Sequence, residues 1–393
     1  MRNDMLPSHH RALVRDGHRL PVETLVPTLA PGPEDVLVRV RAAGVCGTDL
    51  QILRGLRNDP ADILGHEALG EVITAGAWED GPRPGDTVAF NPTHPGDPGR
   101  LLGHTLPGVF QQYVRVPRAD VEAGMLVPVE AGLDPRLGAL AEPLSAVLYS
   151  GELLRQAVLP ESVALFGAGT VGLLHLVCLR RAGVRRVFLV HPREERLAWL
   201  VSRGQVAPAE AVSALDAPAE HLLRETGGVG VDAAVICTPR TGSLAALGEA
   251  VRAVRPGGCI DLLGGFPADA GLEALPGVDL AEIRRANECG QPSPGRLFPV
   301  RTAKERPLVL TGHRGAAARH LREAVSLLRS APGAFAWLVT HVVSPDVAAR
   351  ALRLHAGTGA HRFEGEEWLK MVIDFERGAG FLARSPLGAG GGA

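Results

Sequence analysis

The 393-residue sequence is short of several things, and each shortage removes a class of function. Its five cysteines, Cys46, Cys178, Cys237, Cys259 and Cys289, are scattered and form no CxxC pair, so a disulfide-stapled secreted scaffold is not expected. Lys and Arg number 41 against 43 Asp and Glu, a formal net charge of −2. That lack of a basic excess argues against nucleic acid as a partner. No long uncharged apolar run is present to span a bilayer, so no membrane partner is expected. The opening residues, MRNDMLPSHHRALVRDGHRL, lack the apolar core of a secretory signal, and with the unpaired cysteines they predict a reducing, cytoplasmic setting. Aromatic residues make up only 4%, which gives no sign of a large apolar substrate slot.

What is present is a globular composition, 46% apolar and 21% charged, on a chain long enough for two domains. From EDVLVRVRAAGVCG to about GVFQQYVRVP, short alternating strands broken by Gly and Pro, GDTVAF among them, predict a β-rich, barrel-like domain. Near residue 155 the texture changes. SVALFGAG reads as a strand, TVGLLHLVCLRRAG as a helix, RRVFLV as a strand and REERLAWLVSRG as a helix, and the alternation continues through VDAAVICTP, TGSLAALGEAVRAVRPGG and CIDLLGGF. Such alternation predicts a parallel, doubly wound sheet, an α/β fold. CGQPSPGRLFPVRTAKERP reads as a loop before a strand at PLVLTGHRG, and WLKMVIDF as a closing strand after further helices. The expected organisation is a β-rich domain from residues 1–155 and 316–393 with an α/β domain, 156–315, inserted. Residues 377–393 offer little to bury and are expected to form a disordered tail.

Two stretches carry chemistry. FGAGTVG places Gly167, Gly169 and Gly172 in the G-x-G-x-x-G pattern between an apolar strand and a helix, the context that a dinucleotide turn requires. The first glycine permits the tight turn, the second admits a pyrophosphate to the backbone, and the third lets helix pack on strand. Thr170 and Val171 fall inside the turn, and Cys237, Thr238 and Gly264 at the ends of later strands are further candidate cofactor contacts. About twenty residues on, His191 stands where an acid selective for NAD is expected, with Arg193 and Arg196 following. A missing carboxylate and two cations favour NADP; with Arg193 merely solvated, NAD would serve as well. The other stretch, AAGVCGTDLQILRGLRNDPADILGHEALGEV, holds Cys46 and, twenty positions on, His66 and Glu67. Cys46 is either a small buried hydrophobe or one of several ligands converging on a metal ion.

In this order GVCGTD, GHE, GDTVAF, AEPLSAV and FGAGTVG resemble the zinc-dependent medium-chain dehydrogenases, and more closely their polyol, sorbitol and threonine dehydrogenase branch. The resemblance spans roughly residues 25 to 375 and implies a GroES-like catalytic domain with a Rossmann domain. It implies Cys46, His66 and Glu142 as ligands of one catalytic zinc, with Glu67 beside them as an exchangeable ligand, and Asp49 holding the other nitrogen of His66. Thr48 would take the alcohol proton and pass it towards the cofactor ribose. A homodimer or homotetramer is implied by analogy.

Two departures stand out. Where the family often carries four cysteines for a structural zinc, this chain has NPTHPGDPGRLLGHTLPG, so no structural zinc is expected, and His94 and His104 read as surface residues of a shortened loop. Gln51 stands where liver-type alcohol dehydrogenases place a proton-relaying histidine. The expected reaction is hydride transfer between a nicotinamide cofactor and a small-molecule secondary alcohol or ketone. Gln51, Arg54, Arg57, Asn58, His94 and His104 point to a polyol, sugar or cyclitol. The alternatives are a zinc-free quinone or enoyl reductase of the same superfamily and a non-catalytic NADP-binding sensor.

Overall fold

In this computed structural model, residues 6–15, 20–76, 81–267 and 270–384 are described. The run VLVRVRAAG forms the strand Val36–Gly44, burying Val36, Val38 and Val40 and leaving Arg39 and Arg41 partly exposed, as a period of two demands. Around it a sheet runs in the order Leu382–Arg384, Val339–Val343, Lys370–Asp374, Val36–Gly44, Glu67–Thr74, Thr87–Phe90 and Leu126–Pro128, with Tyr113–Val116 also paired to Val36–Gly44. The late strand Lys370–Asp374 is antiparallel to Val36–Gly44, so the C-terminal segment completes a sheet begun at the N-terminal end.

The chain divides into two compact units, residues 1–145 with 318–393, and residues 146–317. The first boundary falls inside the helix Ala141–Ala157, ahead of the 155/156 boundary read from the change in sequence texture. In the second unit seven strands are ordered Ala211–Ser213, Arg186–His191, Ser162–Phe166, Val231–Ile236, Val254–Asp261, Pro307–Thr311 and Phe298–Arg301, all parallel except the last. Numbering the parallel strands along the chain gives the order 3-2-1-4-5-6 of doubly wound nucleotide folds, with the reversal beside Ser162–Phe166.

Two local expectations need correction. The loop-like CGQPSPGRLFPVRTAKERP contains the strand Phe298–Arg301; it is an edge strand, where Pro299 removes no ladder bond the sheet needs. The segment after Arg377 is not wholly a tail. Arg377 stacks on Phe381 at 4.6 Å, and Leu382–Arg384 pairs with Val339–Val343, because Phe381 and Leu382 supply the apolar anchors that the glycines lack. Residues 385–393 of that expected tail lie outside the described residues. At the other end His9–Val14 and Val22–Pro27 form an antiparallel pair that the sequence reading did not resolve.

Candidate functional site

Cys46 ends the turn after Val36–Gly44 and is the N-cap of the short helix Gly47–Leu53, while Glu67 begins the next strand, Glu67–Thr74, with His66 just ahead of it. Antiparallel pairing sets Gly44 opposite Glu67, which brings the two ends together. One ligand atom each from Cys46, His66 and Glu67 falls within 4.8 Å of the others. His66 is 5% and Glu67 1% exposed, and His66 Nδ1 is buried without a hydrogen-bond partner. Thr48 Oγ1 lies 3.8 Å from Cys46 Sγ. A Cβ on Gly44 would come within 2.6 Å of Glu67 Oε2, so glycine is what lets the carboxylate occupy that space.

Asp49 corrects one expectation. Its Oδ2 accepts from the Cys46 backbone N–H at 2.8 Å and its Oδ1 from Gly65 N–H at 3.2 Å, so it holds the peptides that carry both Cys46 and His66 rather than the imidazole ring. The reason is its place at N3 of the helix, where a short acidic side chain reaches back to the N-cap. Glu142, in the first turn of Ala141–Ala157, lies outside the 4.8 Å group. Its carboxylate has no hydrogen-bond partner among the described residues, and burial pushes it up to about 7 against the pull of His66.

Lys370 is the residue that sequence reasoning missed. Fully buried, it pairs with Glu67 and donates from Nζ to the Val45 carbonyl at 3.0 Å. Burial opposes its charge, yet Glu67 outweighs burial and holds it protonated. A signal existed: the chain contains only two lysines, and this one interrupts an apolar strand. Burial pushes the Cys46 thiol and the Asp49 carboxyl up, whereas His66, although burial opposes its charge, is held well above its usual range by Cys46, Asp49 and Glu142. With its thiol and three carboxyls ionised, the cluster would outnumber the charge of one lysine and one imidazole, which is why these groups are pushed towards their neutral forms. A divalent cation fits such a donor set.

The shortened loop is a surface feature only in part: residues 95–99 are exposed, but its other end packs inward. Gly65 has φ +89, and Cβ atoms on Gly103 or Gly108 would come within 2.4 and 2.2 Å of the Gly65 carbonyl oxygen, so the loop backbone lies directly on the turn before His66. His104 is therefore buried, stacked on His66 with ring centroids 5.1 Å apart, and its Nδ1 is 3.3 Å from Asp59 Oδ1. Arg57 grips Asp59 with Nε at 2.8 Å and Nη2 at 3.0 Å. Of the six polar candidates, Arg57 and His104 thus meet through Asp59. Arg54 rests near Gly359, Asn58 is exposed, Gln51 Nε2 donates to the Gly47 carbonyl at 3.3 Å, and His94 Nδ1 accepts from Gly96 N–H at 3.1 Å.

In the other unit the glycine-rich turn has the geometry its spacing predicts. Gly167 has φ +125, and a Cβ on Gly172 would fall 1.9 Å from the Gly167 carbonyl oxygen. A Cβ on Gly169 would meet nothing within 4 Å, and Gly169 caps the helix Thr170–Arg181 with no side-chain hydrogen bond. That leaves an open cradle at the positive end of a three-turn helix, a fit for an anion. Gly264 approaches the Thr238 carbonyl so closely that a Cβ would fall 2.5 Å from it, Thr238 Oγ1 is buried without a partner, and Cys237 N–H donates to the Phe166 carbonyl at 2.8 Å.

The three residues read for cofactor choice separate. His191 Nδ1 accepts from Ala168 N–H at 3.3 Å, and burial, with Arg196 and Arg193 nearby, lowers its pKa to about 3. Arg196 is not poised for a phosphate: it is buried and donates from Nη1 to the Ala168 carbonyl at 2.9 Å, because its inward helix position puts it beneath the turn. Arg193, the N-cap of the next helix, keeps partial exposure.

Comparison with known proteins agrees with this geometry. Residues 32–127 match the alcohol dehydrogenase GroES-like domain. The chain is 30% identical over 274 residues to L-threonine 3-dehydrogenase of Thermococcus kodakarensis, covering 64% of this chain and 73% of that one. It is 29% identical over 278 residues to glucose 1-dehydrogenase of Thermoproteus tenax, covering 64% and 73%. The crystal structure of AibC superposes with a TM-score of 0.67 at 25% identity, covering 95% of this chain and 98% of AibC. No helix among the described residues is long and apolar enough to cross a membrane. With a GroES-like sheet carrying the ligand cluster, a 3-2-1-4-5-6 sheet carrying the glycine turn and relatives of this kind, the chain is an alcohol-type oxidoreductase and belongs to the medium-chain dehydrogenase family.

Proposed function

We propose that the chain is a zinc-dependent dehydrogenase that moves a hydride between NADP and a secondary alcohol or its ketone, with a polyol, sugar or cyclitol as substrate. The observation that carries this reading is the convergence of Cys46, His66 and Glu67, whose ligand atoms lie within 4.8 Å of one another with His66 and Glu67 buried. Cys46, His66 and Glu142 would hold the metal. Glu142 is favoured as the third ligand because its carboxylate has no other partner, while Glu67 is already paired with Lys370 and stands as the exchangeable group. Bound zinc supplies the Lewis acidity that lowers the pKa of an alcohol, and the nicotinamide supplies the hydride acceptor.

The chain's own residues do the rest. Asp49 fixes the peptides of Cys46 and Gly65, so the sulfur and the imidazole keep their spacing. The Thr48 hydroxyl takes the alcohol proton at Oγ1. Gln51 cannot titrate and so takes no part in passing that proton on, and Thr48 Oγ1 must give up its own hydrogen as it takes the alcohol's. Arg57 and His104, held by Asp59, present polar groups beside His66, which suits a substrate with several hydroxyls better than an apolar alcohol. Gly169 and the uncapped helix N-terminus receive the pyrophosphate, and Arg193 receives the 2′-phosphate. The test is an oxidation screen of polyols, sugars and cyclitols against simple alcohols, with NADP and NAD, on metal-loaded and chelator-treated protein. Turnover that is metal-dependent and favours polyhydroxylated alcohols supports the reading; turnover unaffected by metal removal contradicts it.

A further inference from the structure

Inside the nucleotide unit, three polar side chains that take no part in the zinc reading form a buried chain. Ser150, His175 and Asp261 are at most 1% exposed. His175 Nδ1 is 3.0 Å from the Val171 carbonyl, in the first turn of Thr170–Arg181; His175 Nε2 is 2.9 Å from Ser150 Oγ; and Ser150 Oγ hydrogen-bonds Asp261 Oδ2. Asp261 ends the strand Val254–Asp261, three residues before Gly264.

These contacts can be counted in protons. The Val171 carbonyl accepts only, so His175 Nδ1 must carry its hydrogen. The two remaining contacts, Nε2 to Oγ and Oγ to Oδ2, each need one hydrogen, and the serine hydroxyl has only one. With neutral histidine and ionised aspartate the chain is one proton short. The missing proton sits either on His175 Nε2 or on the Asp261 carboxyl. Burial lowers His175 to about 4, whereas burial raises Asp261 to about 6 against Ser150 and Arg284, so the carboxyl is the holder. The surroundings agree: Asp261 Oδ1 has no partner, a costly place for a full negative charge. The groups acting on it are Ser150 and Arg284 from two helices, the buried thiol of Cys259 on its own strand and that of Cys237 just past the neighbouring strand; His175 reaches it only through Ser150.

We propose that Asp261 holds a proton that completes the Val171–His175–Ser150–Asp261 chain, and that the completed chain positions the first turn of Thr170–Arg181 for the dinucleotide. The second half rests on the nucleotide reading above; the first does not. When the proton leaves, Ser150 turns its hydrogen to the carboxylate and His175 Nε2 loses its donor, so His175 keeps its bond to the Val171 carbonyl but is itself tied down by one bond fewer. Asp261 is a positioning residue, and by linkage nucleotide binding must draw a proton in.

The test compares wild type, Asp261→Asn and Ser150→Ala. Infrared difference spectra between wild type and Asp261→Asn at pH 5 should show a protonated-carboxyl stretch that only wild type has. Calorimetric binding of NAD, chosen because it has no titratable 2′-phosphate, should take up a fractional proton near pH 6.5, and the wild-type affinity should fall about threefold to tenfold from pH 5.5 to 7.5. Asp261→Asn, whose amide still donates to Ser150, should bind NAD as wild type does at pH 5.5 and lose the pH dependence; Ser150→Ala should lose it too. An absent carboxyl band, or an Asn variant that retains the wild-type pH dependence, overturns the proposal. Should NAD fail to bind at any pH, the nucleotide reading falls, and the infrared comparison still decides the proton.

Discussion

In the unit of Cys46 and His66 the site is made of side chains: a thiol, an imidazole, carboxylates and a buried lysine, packed where each charge alters its neighbours. In the unit of Gly167 the site is made of backbone: an open glycine, an uncapped helix end and carbonyls approached to within contact distance. The difference decides how each site fails. Removing a side chain from the first leaves an unbalanced charge, whereas adding a side chain to the second fills the space a ligand needs. Substitutions should therefore separate the two by the kind of damage they do.

The largest effect belongs to the side-chain site. Cys46→Ala should lose the metal and lower turnover by about a thousandfold, since Lewis-acid stabilisation is worth several kcal/mol, roughly 1.4 per tenfold. Its thermal midpoint should stay near that of the metal-free wild type in calorimetry. Next, Lys370→Met strands the Glu67 charge in the interior and should cost about 3–5 kcal/mol in denaturant unfolding, as removal of one partner of a buried pair does. Adding Glu67→Gln should return most of that loss; a double variant no more stable than the single would show that Lys370 acts otherwise.

On the backbone site the effects are smaller and of the other kind. Gly169→Ala meets no atom within 4 Å, so its stability should match wild type while nucleotide affinity falls about tenfold to a hundredfold, a loss of about 1.4–2.7 kcal/mol. Gly172→Ala, which would drive a Cβ to 1.9 Å from the Gly167 carbonyl, should instead unfold more easily. Equal damage from both alanines would blur the distinction between cradle and packing. Smallest is cofactor choice: Arg193→Ala should weaken NADP by about tenfold and leave NAD unchanged, the value of one charge-assisted contact. Arg196→Ala should act on stability instead, because that arginine supports the Ala168 carbonyl from below.

Much of this was legible in the sequence where residue type alone fixes the outcome. Gly167 and Gly172 could be assigned their roles because only glycine tolerates φ +125 or a carbonyl at that distance, and the order of apolar segments specified the doubly wound sheet. Cys46, His66 and Glu67 could be named from GVCG and GHE and the family motifs they resemble, and the pairing of Gly44 with Glu67 then brings them together. What escaped depended on contacts distant in sequence. Lys370 reaches Glu67 across 303 positions. His104 read as a surface residue because its loop is rich in Gly and Pro, yet those glycines are what let the loop lie against Gly65 and bury the ring. Asp49 was assigned to the imidazole by resemblance, while its helix position commits it to two backbone amides. Arg196 looked like a phosphate ligand until its inward helical face placed it under the turn.

The central claim is that one buried side-chain cluster in this chain holds a catalytic metal. Elemental mass spectrometry of the purified protein, beside Cys46→Ala prepared identically, tests it most directly. The account predicts about one zinc per wild-type chain, as three protein ligands with one open position and no four-cysteine lobe imply, and a content near zero in the variant. Wild-type protein without zinc after growth and purification in its presence, two tightly held zincs per chain, or zinc retained in full by Cys46→Ala would contradict it.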